Sequence, residues 1–398
     1  MSIDNLSKES YNVYRCDGFG VCKGEYNFSV SPCPMTMVSG GFESETPRGM
    51  MTIARGILEK ELDYTKEISE RIYRCTQCGN CQFLCGAQYE TGETMVDPSK
   101  VVLAMRADLV ENSLVPTGVR DFLKSVYRYG NPYKMPAHER DNWAKSKDIE
   151  PFNGHEFLFY VGCVGSYDER GKKVAAALSE LLKRANLDFG ILGTRESCDG
   201  NEVNMSGEIG LFELLAEQNI KQFNELGVKR IVTLSPHSFN ALKNEYPVLG
   251  GDFTVIHYTQ LLRDLLISKK IKPTKNLKAK ATFHDPCFLG RRNKEYDAPR
   301  ELLRAIPDLE VHEMAHTREN ALCCGGGGGN FFTDLLGGGE NSPSRVRVRE
   351  AQATGAQILA VACPYCAKMF EDAIRMEGME DKLVVKDVSE LMLQSCLR

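Results

Sequence analysis

The spacing of apolar residues changes character once along the chain. In PRGMMTIARGILEKELDYTKEISERIYR, residues 47–74, apolar side chains recur every three or four positions among charged ones, which predicts helix rather than strand. A polar stretch holding Pro132, Pro136 and Pro151 follows, and beyond it short, nearly continuous apolar runs take over: EFLFYVGC, DFGILG, KRIVTLS, FTVIH, KATFHDPC and QILAVACP. Such runs predict buried strands, and helical spacing between them, as in KVAAALSELLKRA, predicts a parallel α/β arrangement. The change places a boundary near residue 152. The lysine-rich SKKIKPTKNLKAK divides the α/β part in two and reads as a solvated linker. The expected organisation is therefore a small, mostly helical region over 1–152 and two α/β domains over 153–278 and 279–398.

These two halves repeat each other. Cys287 is followed after 35 residues by Cys323 and Cys324, and after 38 more by Cys363, Pro364, Tyr365 and Cys366. Cys163 is followed after 34 residues by Cys198 and Asp199, and after 35 more by Ser235, Pro236, His237 and Ser238. The frames coincide, but the second half holds five thiols where the first holds two. In each half the first cysteine follows a strand, and the later motif lies between a strand and a helix, where open α/β sheets bind ligands.

Composition narrows the chemistry. Of 398 residues 42% are hydrophobic and 26% charged, the balance of a globular protein. A net charge of −5 gives no support for a nucleic-acid partner. No apolar run approaches the roughly 18 residues that span a bilayer, and the N-terminus lacks a basic stretch followed by an apolar one, so the expected location is cytoplasmic, with no transmembrane segment. Fifteen cysteines are too sparse for a small disulfide scaffold and too many for a reducing compartment unless they bind metal.

Seven of those cysteines lie within residues 1–126. Cys75, Cys78, Cys81 and Cys85 have the x2, x2, x3 spacing of a bacterial ferredoxin run, in which three thiolates face one cubane and the fourth serves another cluster. Gly86 stands where that run has proline. A damaged partner run lies upstream: Cys16 and Cys22 frame Phe19 at the missing middle position, and Cys33 precedes Pro34 as a crossing ligand does. The expected ligand sets are Cys33, Cys75, Cys78 and Cys81 for a [4Fe-4S] cubane, and Cys16, Cys22 and Cys85 for a three-iron cluster or a four-iron cluster completed by a residue such as Asp17. A structural zinc site is the competing reading, although zinc takes two pairs of ligands rather than a tight run of three.

The stretch ALCCGGGGGNFF sets Cys323 and Cys324 against five glycines. Vicinal thiols with three more at a distance can converge on a centre larger than one metal ion, whereas a disulfide between neighbours would be strained. Without Cβ atoms, Gly325, Gly326 and Gly327 can approach a cluster closely, take positive φ and aim amides at sulfur. The run lacks both the dinucleotide register and the Gly-Lys-Ser/Thr ending of a phosphate loop. His237, His284 and His316 are candidate proton donors near these loops, with ordinary strand-end histidines as the plain alternative.

Together, CTQCGNC, VGCVGSYDERGKKVA, GILGTRESCDG, HDPCFLGRR, CCGGGGG and ACPYC resemble iron–sulfur oxidoreductases with paired cysteine-rich CCG domains, the family of the B and D subunits of heterodisulfide reductase. The resemblance covers almost the whole chain. It implies that Cys287, Cys323, Cys324, Cys363 and Cys366 bind a noncubane [4Fe-4S] cluster and form the catalytic set, fed by cubanes. The first half matches Cys163 and Cys198 alone, with Asp199, Ser235 and Ser238 in place of thiols. The function so implied is an electron-transfer subunit of an anaerobic hetero-oligomer with flavin-containing and other iron–sulfur partners. A disulfide reductase acting at the noncubane centre and a zinc-stabilised scaffold are the alternatives.

Overall fold

The computed structural model describes residues 1–24, 31–145 and 147–396. Contacts divide the chain into two units: residues 1–124 with 202–211 and 318–347, and residues 125–201 with 212–317 and 348–398.

The first unit is helical. Its three longest helices within residues 1–124 that start on side-chain caps take them from the sequence: Thr46 accepts from the Gly49 amide ahead of Pro47–Leu58, Thr65 from Ile68 ahead of Lys66–Tyr73, and Asp97 from Ser99 and Lys100 ahead of Pro98–Glu111. Pro47 and Pro98 sit at the first helical position, where no amide bond is lost. The stretch 47–74 is thus two helices, because Lys60 takes a left-handed φ of 61° after the first and Thr65 caps the second. Met50, Ala54, Ile72, Val101, Met105 and Leu109 bury fully in the core. Asp108 is buried there too, accepting from the Leu6 amide at 3.1 Å and the Tyr64 hydroxyl at 3.0 Å.

The second unit carries two four-stranded parallel sheets. In chain order the strands are β1 (Phe157–Tyr160), β2 (Phe189–Gly190), β3 (Arg230–Thr233), β4 (Thr254–His257), β5 (Ala279–Phe283), β6 (Leu309–His312), β7 (Ile358–Val361) and β8 (Val384–Asp387). One sheet runs β2-β1-β3-β4 and the other β6-β5-β7-β8, so the repeat in the sequence is a repeat of topology. In each, the chain leaves the first strand to one side and returns to the other. The crevice at the carboxyl ends of β1 and β3, or of β5 and β7, is therefore a switch point of the kind that binds ligands in open sheets.

All six predicted strands form, and β6 and β8 are additional. Both are edge strands whose side chains alternate between buried and exposed, so LEVH and VVKD lack the continuous apolar run that marks a central strand. Among the described residues no helix is long and apolar enough to cross a membrane.

Candidate iron–sulfur sites

No disulfide joins any of the fifteen cysteines among the described residues. Cys33 is the N-cap residue of the helix Pro34–Ser39, while Cys75, Cys78 and Cys81 follow the helix Lys66–Tyr73. Asn80 ties the two segments by donating to the Pro32 carbonyl at 3.1 Å. These four cysteines line one small cavity of about 20 Å³ with Met35, Met50 and Val102. Burial pushes the Cys33 thiol up to about 12, and the sulfurs of Cys78 and Cys75 add to it. Cys81 is raised well above the ordinary thiol value by burial, then by Cys75 and Cys78. Thiols that disfavour one another's ionisation this way need a cation to become thiolates together, which is the donor chemistry of a metal cluster.

Cys16, Cys22 and Cys85 line a second, larger cavity of about 260 Å³ with Asp17 and Met51. Burial, then Cys16 and Cys85, push Cys22 up to about 11. Phe19 is 70% exposed and has no donor atom to offer, while Asp17 lines the cavity and holds the turn by accepting from the Phe19 amide at 3.1 Å.

The glycine run belongs to the same unit as these sites. Cys323, Cys324 and residues 325–330 are all buried. Gly325, Gly328 and Gly329 take φ of 90°, 62° and 83°, and the Gly325 amide donates to Cys323 Sγ at 3.3 Å. The carbonyls of Gly326 and Gly327 accept from Phe331 and Asn330, closing the turn into the helix Asn330–Thr333. A Cβ on Gly328 would stand 2.5 Å from the Cys75 carbonyl oxygen, so only glycine allows this approach. Thr76, next to Cys75, hydrogen-bonds Cys323 Sγ through its hydroxyl at 3.6 Å, with both residues buried. Arg106, fully buried, locks the two loops. Its guanidinium donates to the carbonyls of Cys75 at 2.5 Å, Tyr73 at 3.0 Å, Met205 at 2.6 Å and Gly328 at 3.2 Å.

In the second unit, Cys287 follows β5, and Cys363 is the N-cap residue of the helix Pro364–Met376, with Cys366 in its first turn. All three are buried. Cys363 makes no side-chain capping hydrogen bond. His284, at the end of β5, packs edge-on to Phe370 and offers a ring nitrogen within 4.8 Å of Cys366 Sγ. In the first repeat, Cys163 follows β1, and Ser235 caps the helix Pro236–Asn240 by accepting from the His237 amide. Ser238 donates to Asp199 at 2.8 Å. His237 stacks on Tyr365 at 4.2 Å, and His316 pairs with Glu350 at 2.9 Å.

The family model for the cysteine-rich domain CCG matches residues 157–243 and 281–371. Over 99% of its length the chain is 30% identical to the D subunit of the dihydromethanophenazine:CoB–CoM heterodisulfide reductase of Methanosarcina barkeri, of which the alignment covers 97%. The chain belongs to the CCG-domain iron–sulfur oxidoreductases related to heterodisulfide reductase. It is also 37% identical to the probable iron–sulfur-binding oxidoreductase FadF of Bacillus subtilis and 33% identical to the EtfAB:quinone oxidoreductase of Syntrophomonas wolfei. Each alignment covers 84% of this chain, but 49% and 48% of those proteins, so the chain spans about half their length.

In this CCG-domain oxidoreductase, four residues that motif spacing did not single out hold the cysteine loops: Thr76, Arg106, Arg140 and Glu196. Only Arg106 left a trace. It is a lone cation on an apolar helical stripe, four residues after Val102 and three before Leu109, and a charge there needs buried acceptors.

Proposed function

We propose that this chain is an electron-transfer subunit, with Cys33, Cys75, Cys78 and Cys81 holding a [4Fe-4S] cubane and Cys16, Cys22 and Cys85 holding a three- or four-iron cluster. Cys287, Cys323, Cys324, Cys363 and Cys366 hold a noncubane [4Fe-4S] centre. Bound there, the clusters supply one-electron transfer. In this reading residues 1–152 form the ferredoxin-type domain, 153–278 the substituted CCG domain and 279–398 the complete one.

The observation that carries the reading is the contact of Thr76 with Cys323. One ligand of the cubane set, Cys75, is followed by a residue whose hydroxyl touches a ligand of the noncubane set. Covalent bonds and one hydrogen bond therefore connect the two sulfurs. Arg106 keeps that distance fixed by binding the Cys75 and Gly328 carbonyls together. The Gly325 amide, aimed at Cys323 Sγ, stabilises negative charge on that sulfur and so tunes the centre it serves. The chain shows no nucleotide fingerprint, so a flavin, where two-electron chemistry meets these one-electron sites, resides on a partner. A relative named EtfAB:quinone oxidoreductase is in keeping with a redox partner of that kind in a hetero-oligomer.

Anaerobically purified protein is expected to hold about 11 to 12 irons with matching acid-labile sulfide. Zinc in place of iron overturns the proposal. In Thr76→Val, paramagnetic resonance during stepwise reduction should show every cluster present, with slower redistribution of electrons between cubane and noncubane signals. Unaltered redistribution removes Thr76 from the route.

A further inference from the structure

The first repeat keeps two thiols, and the protein has built a charged site around them. Arg140 and Glu196 are each 2% exposed at their side chains. Arg140 Nη2 donates to Glu196 Oε1 at 2.9 Å, to the Ser197 carbonyl at 3.2 Å and to Cys163 Sγ at 3.5 Å. Glu196 is itself held by the amides of Val161 at 3.0 Å and Gly162 at 2.9 Å. Desolvating a guanidinium and a carboxylate is costly, and a packing cysteine does not require it. One Arg140 nitrogen thus reaches both Cys163 Sγ and the carbonyl of Ser197, the residue before Cys198, and sets the two thiol-bearing segments side by side. The Gly200 amide donates to Cys198 Sγ at 3.4 Å. A hydrogen bond from Cys198, with help from Arg140, draws Cys163 below the ordinary thiol value against burial. Cys198, as the donor, is raised well above it. One sulfur is prepared as a nucleophile and the other waits protonated beside it.

We propose that Cys163 and Cys198 are an oxidisable dithiol that hydrogen peroxide, or an oxidant of that class, closes to a disulfide. The Cys163 thiolate attacks one peroxide oxygen and breaks the O–O bond, becoming a sulfenic acid as hydroxide leaves. Cys198 sulfur then displaces the sulfenic hydroxyl, its proton leaving with that group as water, and the S–S bond forms. Two thiols lose two electrons in all, and one peroxide becomes two waters. The oxidant must be small, because Cys163 is 5% and Cys198 8% exposed, which excludes glutathione disulfide. Sequence frame alone would read this pair as the remnant of a cluster site. The proposal rests on the reading that the first repeat holds no cluster.

The test uses the anaerobic, iron-loaded chain, treated with peroxide in small increments or with glutathione disulfide, then alkylated under denaturing conditions and mapped by mass spectrometry. A Cys163–Cys198 cross-link is expected with peroxide before the visible cluster absorbance falls, and not with glutathione disulfide. Arg140→Gln should slow its formation about tenfold, because the guanidinium that touches Cys163 Sγ and favours its thiolate is gone. In Cys198→Ser, dimedone should trap a sulfenic acid on Cys163, a readout that does not need Arg140→Gln to fold. If Cys198→Ser retains full iron, yet both thiols of the native chain stay alkylatable until the clusters bleach, the proposal is wrong. If Cys198→Ser instead loses about four irons, the underlying reading fails, because the first repeat then holds a cluster.

Discussion

Ser235 and Cys363 occupy the same place in the two repeats, each preceding the helix that leaves a central strand. Ser235 accepts the His237 amide and caps its helix, whereas the Cys363 side chain makes no such cap. Ser238 gives its proton to Asp199, while its counterpart Cys366 lies near a ring nitrogen of His284. Some local features survive in both. The Gly200 amide meets Cys198 Sγ at 3.4 Å, and the Gly325 amide meets Cys323 Sγ at 3.3 Å, with φ of 81° and 90°. The scaffold thus outlasts the ligand set. Where the first repeat has Asp199, Ser235 and Ser238 instead of thiols, Ser238 bonds Asp199 and Ser235 bonds a backbone amide, as buried polar groups require.

The largest test of this asymmetry is iron. Cys324→Ser is expected to remove about four irons, while Cys198→Ser leaves iron and sulfide content unchanged. Equal losses would break the comparison.

Next comes the glycine run. Gly328→Ala forces a Cβ toward the Cys75 carbonyl at a left-handed φ, and should cost about 1 to 3 kcal/mol in denaturant unfolding and shift the noncubane and cubane signals together. Gly339→Ala, with open space around it, should do neither. Ser235→Ala then removes a cap, for about 1 kcal/mol of stability with iron intact. Cys363→Ser reverses that pattern, losing iron with little change in the stability of the metal-free fold.

The smallest effect is in pH dependence, at another matched pair. His257 ends β4 and Asp387 ends β8, each the last residue before a helix. Burial lowers His257 to about 3, so its contribution to stability is full above about pH 6.5 and is lost as pH falls toward 3. Burial raises Asp387 from 3.8 to about 7, so its contribution is full below about pH 4 and is lost as pH rises through 7. Unfolding free energies measured across this range should flatten on the acid side in His257→Asn and between pH 4 and 7 in Asp387→Asn. Parallel shifts in both variants would mean that neither group titrates with folding.

The α/β class, the twofold repeat, six of eight strands and the grouping of the N-terminal cysteines around two cavities were legible from residue order. Each is written in local periodicity or in the spacing of a few chemically distinctive side chains. Two of the four edge strands, β6 and β8, were hidden because LEVH and VVKD lack the continuous apolar signature. Cys163 and Cys198 could be counted, but their condition could not, since Arg140 reaches Cys163 from 23 residues away along the chain and is held by Glu196, 56 residues from it. Likewise the sequence marks Arg106 only as a lone cation on an apolar stripe, and which carbonyls it binds, those of Tyr73, Cys75, Met205 and Gly328, follows from the fold. Which thiols are present follows from the sequence alone. Which are touched by an amide, a hydroxyl or a guanidinium was decided by tertiary structure, because hydrogen bonds act over a few ångströms of space and residue spacing records distance only along the chain.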